Sequence, residues 1–239
     1  QVTRYDRYSR SLEEIEPGNY ISSTKMGYDQ SLALITARNA KYLEMAFSSA
    51  EDFDPDGTWF GGEVRAPSAS NVVTTQAHTG TYSVRLNGSN RYGFNYKAKV
   101  APYIIFDLPP VTEIDRKKYE ARVWIHESNT RTDFDYLYCS YENDAGTILH
   151  WEGVRLSDPG VVKAGEWYQL RLPIDLTRSI LSNVTKIGIG TWVASNSGDV
   201  YFDDFRFAPL DAEVECFVYD QHTDQVTHIL DQEHFYTKY

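Results

Sequence analysis

Apolar residues alternate with polar ones through most of this chain. Between Met45 and Phe207 the alternation comes in short runs: Met45–Glu51, Tyr82–Leu86, Gly93–Lys99, Tyr103–Leu108, Lys118–Glu127, Phe134–Glu142, Thr147–Arg155, Trp167–Leu172, Thr185–Val193 and Asp199–Phe207. A period of two over runs this short predicts strands. Turn-forming clusters separate many of them: Asp54-Pro55-Asp56-Gly57, Asn87-Gly88, Asn143-Asp144-Ala145-Gly146, Asp158-Pro159-Gly160 and Asn196-Ser197-Gly198. About ten strands with no long helix between them must pair antiparallel, and two packed sheets are the natural way to bury them. The expected fold is therefore all-β, a β-sandwich of jelly-roll type. Gly61–Ala77 is small and polar and is expected as a long surface loop.

The two ends are patterned differently. Residues 1–27 are polar, with a turn at Glu16-Pro17-Gly18-Asn19 and short strands expected at Val2–Tyr5 and Ser11–Ile15. From Asp29 to about Tyr42, Leu32, Ile35, Asn39 and Tyr42 recur at helical spacing with alanines between them, which predicts a short N-terminal helix. Tyr5-Asp6 opens the chain. Tyr219-Asp220-Gln221-His222-Thr223, Thr227-His228-Ile229-Leu230-Asp231 and Tyr236-Thr237-Lys238-Tyr239 close it. Both ends read as one unit: a Tyr-Asp pair, a polar turn, an alternating strand and a Tyr-rich strand. This resembles the tyrosine-aspartate (YD, or RHS) repeats of very large secreted bacterial proteins. The expected organisation is a partial repeat and junction over 1–44, a separate sandwich over 45–208, and the start of another repeat over 209–239. The chain then reads as a slice of a larger polypeptide.

Charge and cysteine content narrow the function. The 239 residues carry a formal net charge of −11, and no basic stripe with interleaved aromatics is present, which argues against nucleic acid as a partner. No apolar run approaches the ~18 residues of a membrane span. Cys139 and Cys216 form no CxxC pair, which excludes a zinc knuckle or a redox motif. Cys139 lies in an apolar strand and is expected as a small buried hydrophobe.

Within the central segment four motifs occur in order: Phe47-Ser48-Ser49-Ala50-Glu51-Asp52-Phe53, His78-Thr79-Gly80-Thr81-Tyr82-Ser83-Val84, Glu166-Trp167-Tyr168-Gln169-Leu170, and Val200-Tyr201-Phe202-Asp203-Asp204-Phe205-Arg206-Phe207. The ordered set is similar to the jelly-roll family that includes many carbohydrate-binding modules. Ala50 departs from it, standing where that family usually has Phe before the Glu. Together with the flanks, the whole resembles large surface or secreted proteins of the Bacteroidota. The resemblance implies a structural calcium held by Glu51 and Asp203, with the backbone near Thr81 completing an oxygen shell. Alternation places Tyr201, Asp203, Phe205 and Phe207 on one inward side, and Met45, Phe47, Ser49 and Glu51 on another. The alternative to a metal is that Asp203 caps a turn or pairs with Arg85 or Arg206.

The faces turned away from the core carry the candidate ligand site. With Tyr119, Ala121, Val123 and Ile125 inward, Arg122, Trp124 and His126 point outward. With Leu137, Cys139 and Tyr141 inward, Tyr136 and Tyr138 point outward. With Ile187, Ile189 and Val193 inward, Trp192 points outward beside Gly188 and Gly190. Trp151 and Arg155 join them if Ile148, His150 and Val154 face inward. Aromatic planes match the apolar faces of sugar rings, and Arg or His can bond hydroxyls. The opposing reading is that this face is a buried interface under the flanking segments.

No acid/base pair suited to a glycosidase stands out, because the adjacent Asp203 and Asp204 point to opposite sides of a strand. Gly188-Ile189-Gly190 lacks the helix a dinucleotide site needs. His222, His228 and His234 are expected as exposed repeat positions. The function expected is a non-catalytic carbohydrate-binding or adhesion module of a secreted or cell-surface protein, with a glycan and the remainder of the polypeptide as partners. The rival is a structural spacer or plug domain of a repeat shell.

Overall fold

The computed structural model describes residues 1–53, 60–87, 95–99, 118–128, 130–143, 145–181, 183–193 and 198–239. The strand expected at Tyr103–Leu108 and most of the Asp54–Gly57, Asn87-Gly88 and Asn196–Gly198 turns lie outside these residues. Among the described residues the chain is almost wholly β, as the alternation predicts, and its strands form three antiparallel sheets.

The first sheet is built from both ends of the chain. Strands β1 (Val2–Tyr5), β2 (Ser11–Ile15), β3 (Ile21–Gly27) and β4 (Leu32–Arg38) succeed one another as hairpins. β4 then pairs with the first of the closing strands, β16 (Glu213–Tyr219), β17 (Val226–Leu230) and β18 (Tyr236–Lys238). β4 replaces the helix expected over Asp29–Tyr42. The helical spacing there is real, but β4 pairs with β3 on one side and with β16 on the other. Two full ladders outweigh a weak local preference. One short 3-10 turn at Tyr42–Glu44 then leads into the sandwich.

The other two sheets face each other. The front sheet has the order β11-β10-β14-β8, from β8 (Asn95–Lys99), β10 (Asp135–Glu142), β11 (Ile148–Arg155) and β14 (Lys186–Thr191). The back sheet runs β12-β13-β9-β15-β7-β6, from β6 (Val72–Val73), β7 (Ser83–Leu86), β9 (Lys118–His126), β12 (Val162–Ala164), β13 (Trp167–Asp175) and β15 (Val200–Pro209), with β5 (Ala46–Ser48) also paired to β15. Between them lies one core that includes Ala121, Val123, Ile125, Leu137, Cys139, Tyr141, Ile187, Ile189, Phe205 and Phe207. Both Cys139 and Cys216 are free and buried. Val64 and Ala66 also reach this core at 0% exposure, so Gly61–Ala77 is not simply the surface loop its composition suggested.

A second core joins the first sheet to the back of the sandwich. Leu34, Ile35, Val214, Cys216 and Leu230 meet Met45, Phe47, Ala208 and Ala212 there. Met45 and Phe47 therefore face the first sheet, whereas Ala46 and Ala50 face the sandwich core. This corrects the inward set expected on β5. The closing strand needs a similar correction. Val200 and Phe202 point into the sandwich, and so do Phe205 and Phe207, while Tyr201 joins the outer cluster with Trp124 and Trp167. The register slips between Asp203 and Arg206, and Asp204 has a φ of +48°. That bulge adds one residue and reverses the phase of the strand, so Tyr201 and Asp203 lie on the outer side.

Candidate functional site

The predicted aromatic face divides between two sheets. Tyr138, Trp151 and Trp192 gather on the outer side of the front sheet. Arg122, Trp124 and His126 lie on β9, on the outer side of the back sheet. Tyr136 belongs to neither, because it is buried in the sandwich core at 0% exposure beside Leu137. The pairing of β10 with β11 slips between Asp135 and Leu137, which lets two successive residues turn inward. The Tyr136 hydroxyl accepts a hydrogen bond from the backbone N–H of Arg131 at 2.6 Å.

The front-sheet cluster is set by glycines. Tyr138 stands opposite Gly153 on one neighbouring strand and Gly190 on the other. A Cβ on Gly153 would come within 2.8 Å of the Trp151 indole, so only glycine there lets Trp151 lie in its observed position. The Trp151 and Tyr138 rings are nearly parallel, 18° apart in orientation with centroids 6.2 Å apart. Trp192 stands across them, 6.0 Å from Trp151 and 6.3 Å from Tyr138. Phe134 backs Trp192 at 5.3 Å. The Trp192 indole N–H donates to the Asp135 carbonyl, and its backbone N–H donates to the Tyr136 carbonyl at 3.2 Å, which fixes the ring. Trp151 is 37% exposed, and Tyr138 and Trp192 are half-buried. Polar groups border the rings: the Arg155–Asp135 ion pair at 2.9 Å, and half-buried Glu142, which accepts from the buried Ser140 hydroxyl at 3.0 Å. Such a surface can stack on flat or apolar ring faces and bond polar edges at its rim. Phe134 and Gly153 do not stand out in the sequence. Their roles depend on cross-strand register, which alternation alone does not give.

The back-sheet residues are covered. The segment from Asp231 to Tyr236, which joins β17 to the start of β18, lies across Arg122 and Trp124 as a strap. The Trp124 indole N–H donates to the His234 carbonyl at 3.1 Å, and Gln169 donates to the Glu233 carbonyl at 2.9 Å. The Phe235 ring meets Trp124 edge-on at 5.6 Å. Trp124 is 0% exposed. Arg122 and His126 are buried as well. His78 stacks on Trp124 with centroids 4.1 Å apart. His228 and His234 are buried here rather than exposed, and burial holds the pKa of His234 well below the usual imidazole range. His222 is exposed as expected.

Three carboxyl groups, Glu51, Asp203 and Asp204, are buried near one another. Glu51 accepts hydrogen bonds from the backbone N–H groups of Thr81 at 2.6 Å and Tyr82 at 2.7 Å. Asp203 accepts from the backbone N–H of His78 at 2.7 Å and of Asp204 at 2.7 Å. Asp204 accepts from the Thr79 hydroxyl at 2.7 Å and pairs with the His78 ring at 2.6 Å. Burial pushes the pKa of Glu51 up to about 7, with the charges of Asp204 and Asp52 adding to it. Burial and the neighbouring Asp204 push that of Asp203 well above the usual carboxylate range. A cation would relieve both, so the carboxyl chemistry suits one. Thr81, however, offers its N–H to Glu51. Among the described residues no three His, Cys, Asp or Glu side chains gather as a ready metal shell.

No protein-family profile matches the chain, and no curated protein matches it. Among solved structures it is similar to the CBM22-1 xylan-binding domain of Paenibacillus barcinonensis Xyn10C, with 13% identity over 71% of this chain and 95% of that one and a TM-score of 0.38. The CBM22-2 xylan-binding domain from the same Xyn10C gives 15% identity, 70% and 99% coverage and a TM-score of 0.39. CBM27-1 of Caldicellulosiruptor saccharolyticus, solved in complex with mannohexaose, gives 14% identity, 69% and 90% coverage and a TM-score of 0.33. The class of protein defined by the chain's own geometry is an all-β sandwich with an attached hairpin sheet.

Proposed function

We propose that the chain is a non-catalytic carbohydrate-binding module, and that its ligand platform is Tyr138, Trp151 and Trp192 on the front sheet. One observation carries this reading. Three large aromatic rings stand within 6.0–6.3 Å of one another on an outer sheet face, beside a glycine that lets them pack and polar groups that can take hydroxyls. A face meant only for solvent has no use for that much apolar area in one place. Arg122 and Trp124 take no part, because the strap covers them, and His126 is buried against Trp167 and Tyr201. The module spans residues 45–208 and belongs to a larger secreted or cell-surface protein with YD-type repeats on both sides. A calcium ion held by Glu51 and Asp203 near Thr81 is part of the same proposal. The test is titration of the chain with a panel of neutral polysaccharides, repeated on Trp151→Ala and Trp192→Ala. Each variant should weaken binding by ~10-fold or more, as expected on truncating an aromatic anchor, with the melting temperature little changed. Binding that survives in both variants sinks the platform.

A second reading has its own observation. The strap makes side-chain-to-backbone bonds from Trp124, Gln169 and Arg206 across the back sheet. That is the anchoring a structural spacer or plug needs. If no glycan binds, this coupling is the function that remains.

A further inference from the structure

Arg171 on β13, Arg122 on β9 and Arg206 on β15 stand directly opposite one another in a single rank across the back sheet. Like charges in such positions repel, and two of these three have no water to screen them. Arg122 is 3% exposed and Arg206 is 4% exposed under the strap. Their counter-charges are few. Glu120 takes Nε of Arg122 on one carboxylate oxygen and Nε of Arg171 on the other. Glu233 of the strap meets Nη2 of Arg122 at 3.2 Å, but its side chain is 64% exposed. Arg206 donates to the carbonyls of Asp231 at 2.8 Å and Gln232 at 2.6 Å and lies against the Cys216 thiol. Among the described residues it has no carboxylate in ion-pair range. Nη1 of Arg122 is buried with no partner at all. Three guanidinium groups thus meet two carboxylates, one of them in solvent, and an uncompensated buried charge is costly.

A small cavity of about 70 Å³ lies at this rank, with Glu120, Arg122, Arg171, Arg206, Gln232 and Glu233 among its walls. Its size is that of a water or two, at ~30 Å³ each, or of one compact ion. Water can satisfy an N–H group, but it leaves the excess charge in place.

We propose that this cavity binds one compact monovalent anion of chloride size, shared among the guanidinium groups of the rank, and that the anion helps lock the strap onto the back sheet. The proposal is independent of the aromatic platform, which lies on the other sheet. Because the ion bridges the sandwich and the strap, it stabilises the folded chain by mass action.

The test uses the full chain. Crystals are soaked in sodium bromide and an anomalous map is calculated. Melting is followed in sodium chloride and, at matched ionic strength, in sodium gluconate, whose anion is too large for the cavity. The expected results are a bromide peak beside Arg122 and Arg206, and a melting temperature that rises saturably in chloride only. Arg171→Gln removes one charge at the exposed rim, so folding is spared. It should raise the half-saturating chloride concentration ~10-fold, as for the loss of one charge-assisted contact. Arg122→Met should abolish the chloride effect. Should Arg122→Met fail to fold, Arg171→Gln and the bromide map decide. Absence of the peak together with equal melting in both salts overturns the proposal. A bromide peak of unchanged occupancy in Arg171→Gln means an adventitious ion only and overturns it too.

Discussion

Glu51 shows how a single residue can report on the state of this molecule. Burial raises its pKa to about 7 in the folded chain, from an unfolded value of 4.5. Between those values the native state holds a proton that the unfolded state has lost, so the contribution of Glu51 to stability is fully present below pH 4.5 and is lost as pH rises through 7. Asp52, raised by burial to about 6, pulls in the same direction. Glu51→Gln keeps an acceptor for the Thr81 and Tyr82 N–H groups and removes the titration. It should flatten the pH profile of stability and stabilise the chain at pH 8 by ~1–3 kcal/mol. A calcium ion at Glu51 and Asp203 would instead hold both carboxyls ionised, so with calcium present the part of the slope due to these two groups should disappear and a chelator should restore it while lowering the melting temperature. Identical melting with calcium and with chelator contradicts the calcium proposal. The tryptophans separate just as sharply. Trp124→Ala empties a fully buried site and should cost ~3–5 kcal/mol. Trp151→Ala, at 37% exposure, should cost less than ~1 kcal/mol, in the range of surface changes. Chemical denaturation of the two variants measures both.

Among the elements, the bulge in β15 explains the most. Asp204, at φ +48°, is the extra residue that lets Phe202 and then Phe205 and Phe207 face the same core. Asp204→Asn keeps a residue that tolerates positive φ and should cost about 1–2 kcal/mol, mainly through weaker bonds to His78 and Thr79. Deleting Asp204 outright should turn Phe205 and Phe207 away from the core and abolish cooperative unfolding, which circular dichroism during heating will show. The strands themselves are legible in the sequence. Most runs expected from Lys118 onward match observed strands to within a few residues, because each has one buried face and alternation marks it. What alternation cannot show is a change of phase inside a strand. The bulges at Asp204 and near Tyr136 each reverse a face, and each turns an inward or outward expectation around. β4 escapes the pattern for another reason: its ladder partners lie on two sides, and β16 is far away in the chain. Trp124 and Trp192 look alike in the sequence because each opposes the core. Only the assignment of β9 and β14 to different sheets separates them.

For the molecule as a whole, the two chain ends act as one structural unit. β4 and β16 pair directly, and the sheet they centre on shares a core with Phe47 and Ala208 of the sandwich. A shared core predicts that scanning calorimetry shows one transition for both parts rather than two, and two well-separated peaks would contradict that. The strap from Asp231 to Tyr236 adds to this coupling, and the front sheet carries the Tyr138, Trp151 and Trp192 cluster on its outer side. The central claim is that this face binds carbohydrate. The most direct measurement is the indole N–H spectrum of the chain labelled with nitrogen-15 at tryptophan, recorded during titration with a polysaccharide that it binds. The signals of Trp151 and Trp192 should shift together and saturate, while those of Trp124 and Trp167 stay in place. Shifts confined to Trp124 and Trp167, with Trp151 and Trp192 unmoved at saturation, would contradict the account.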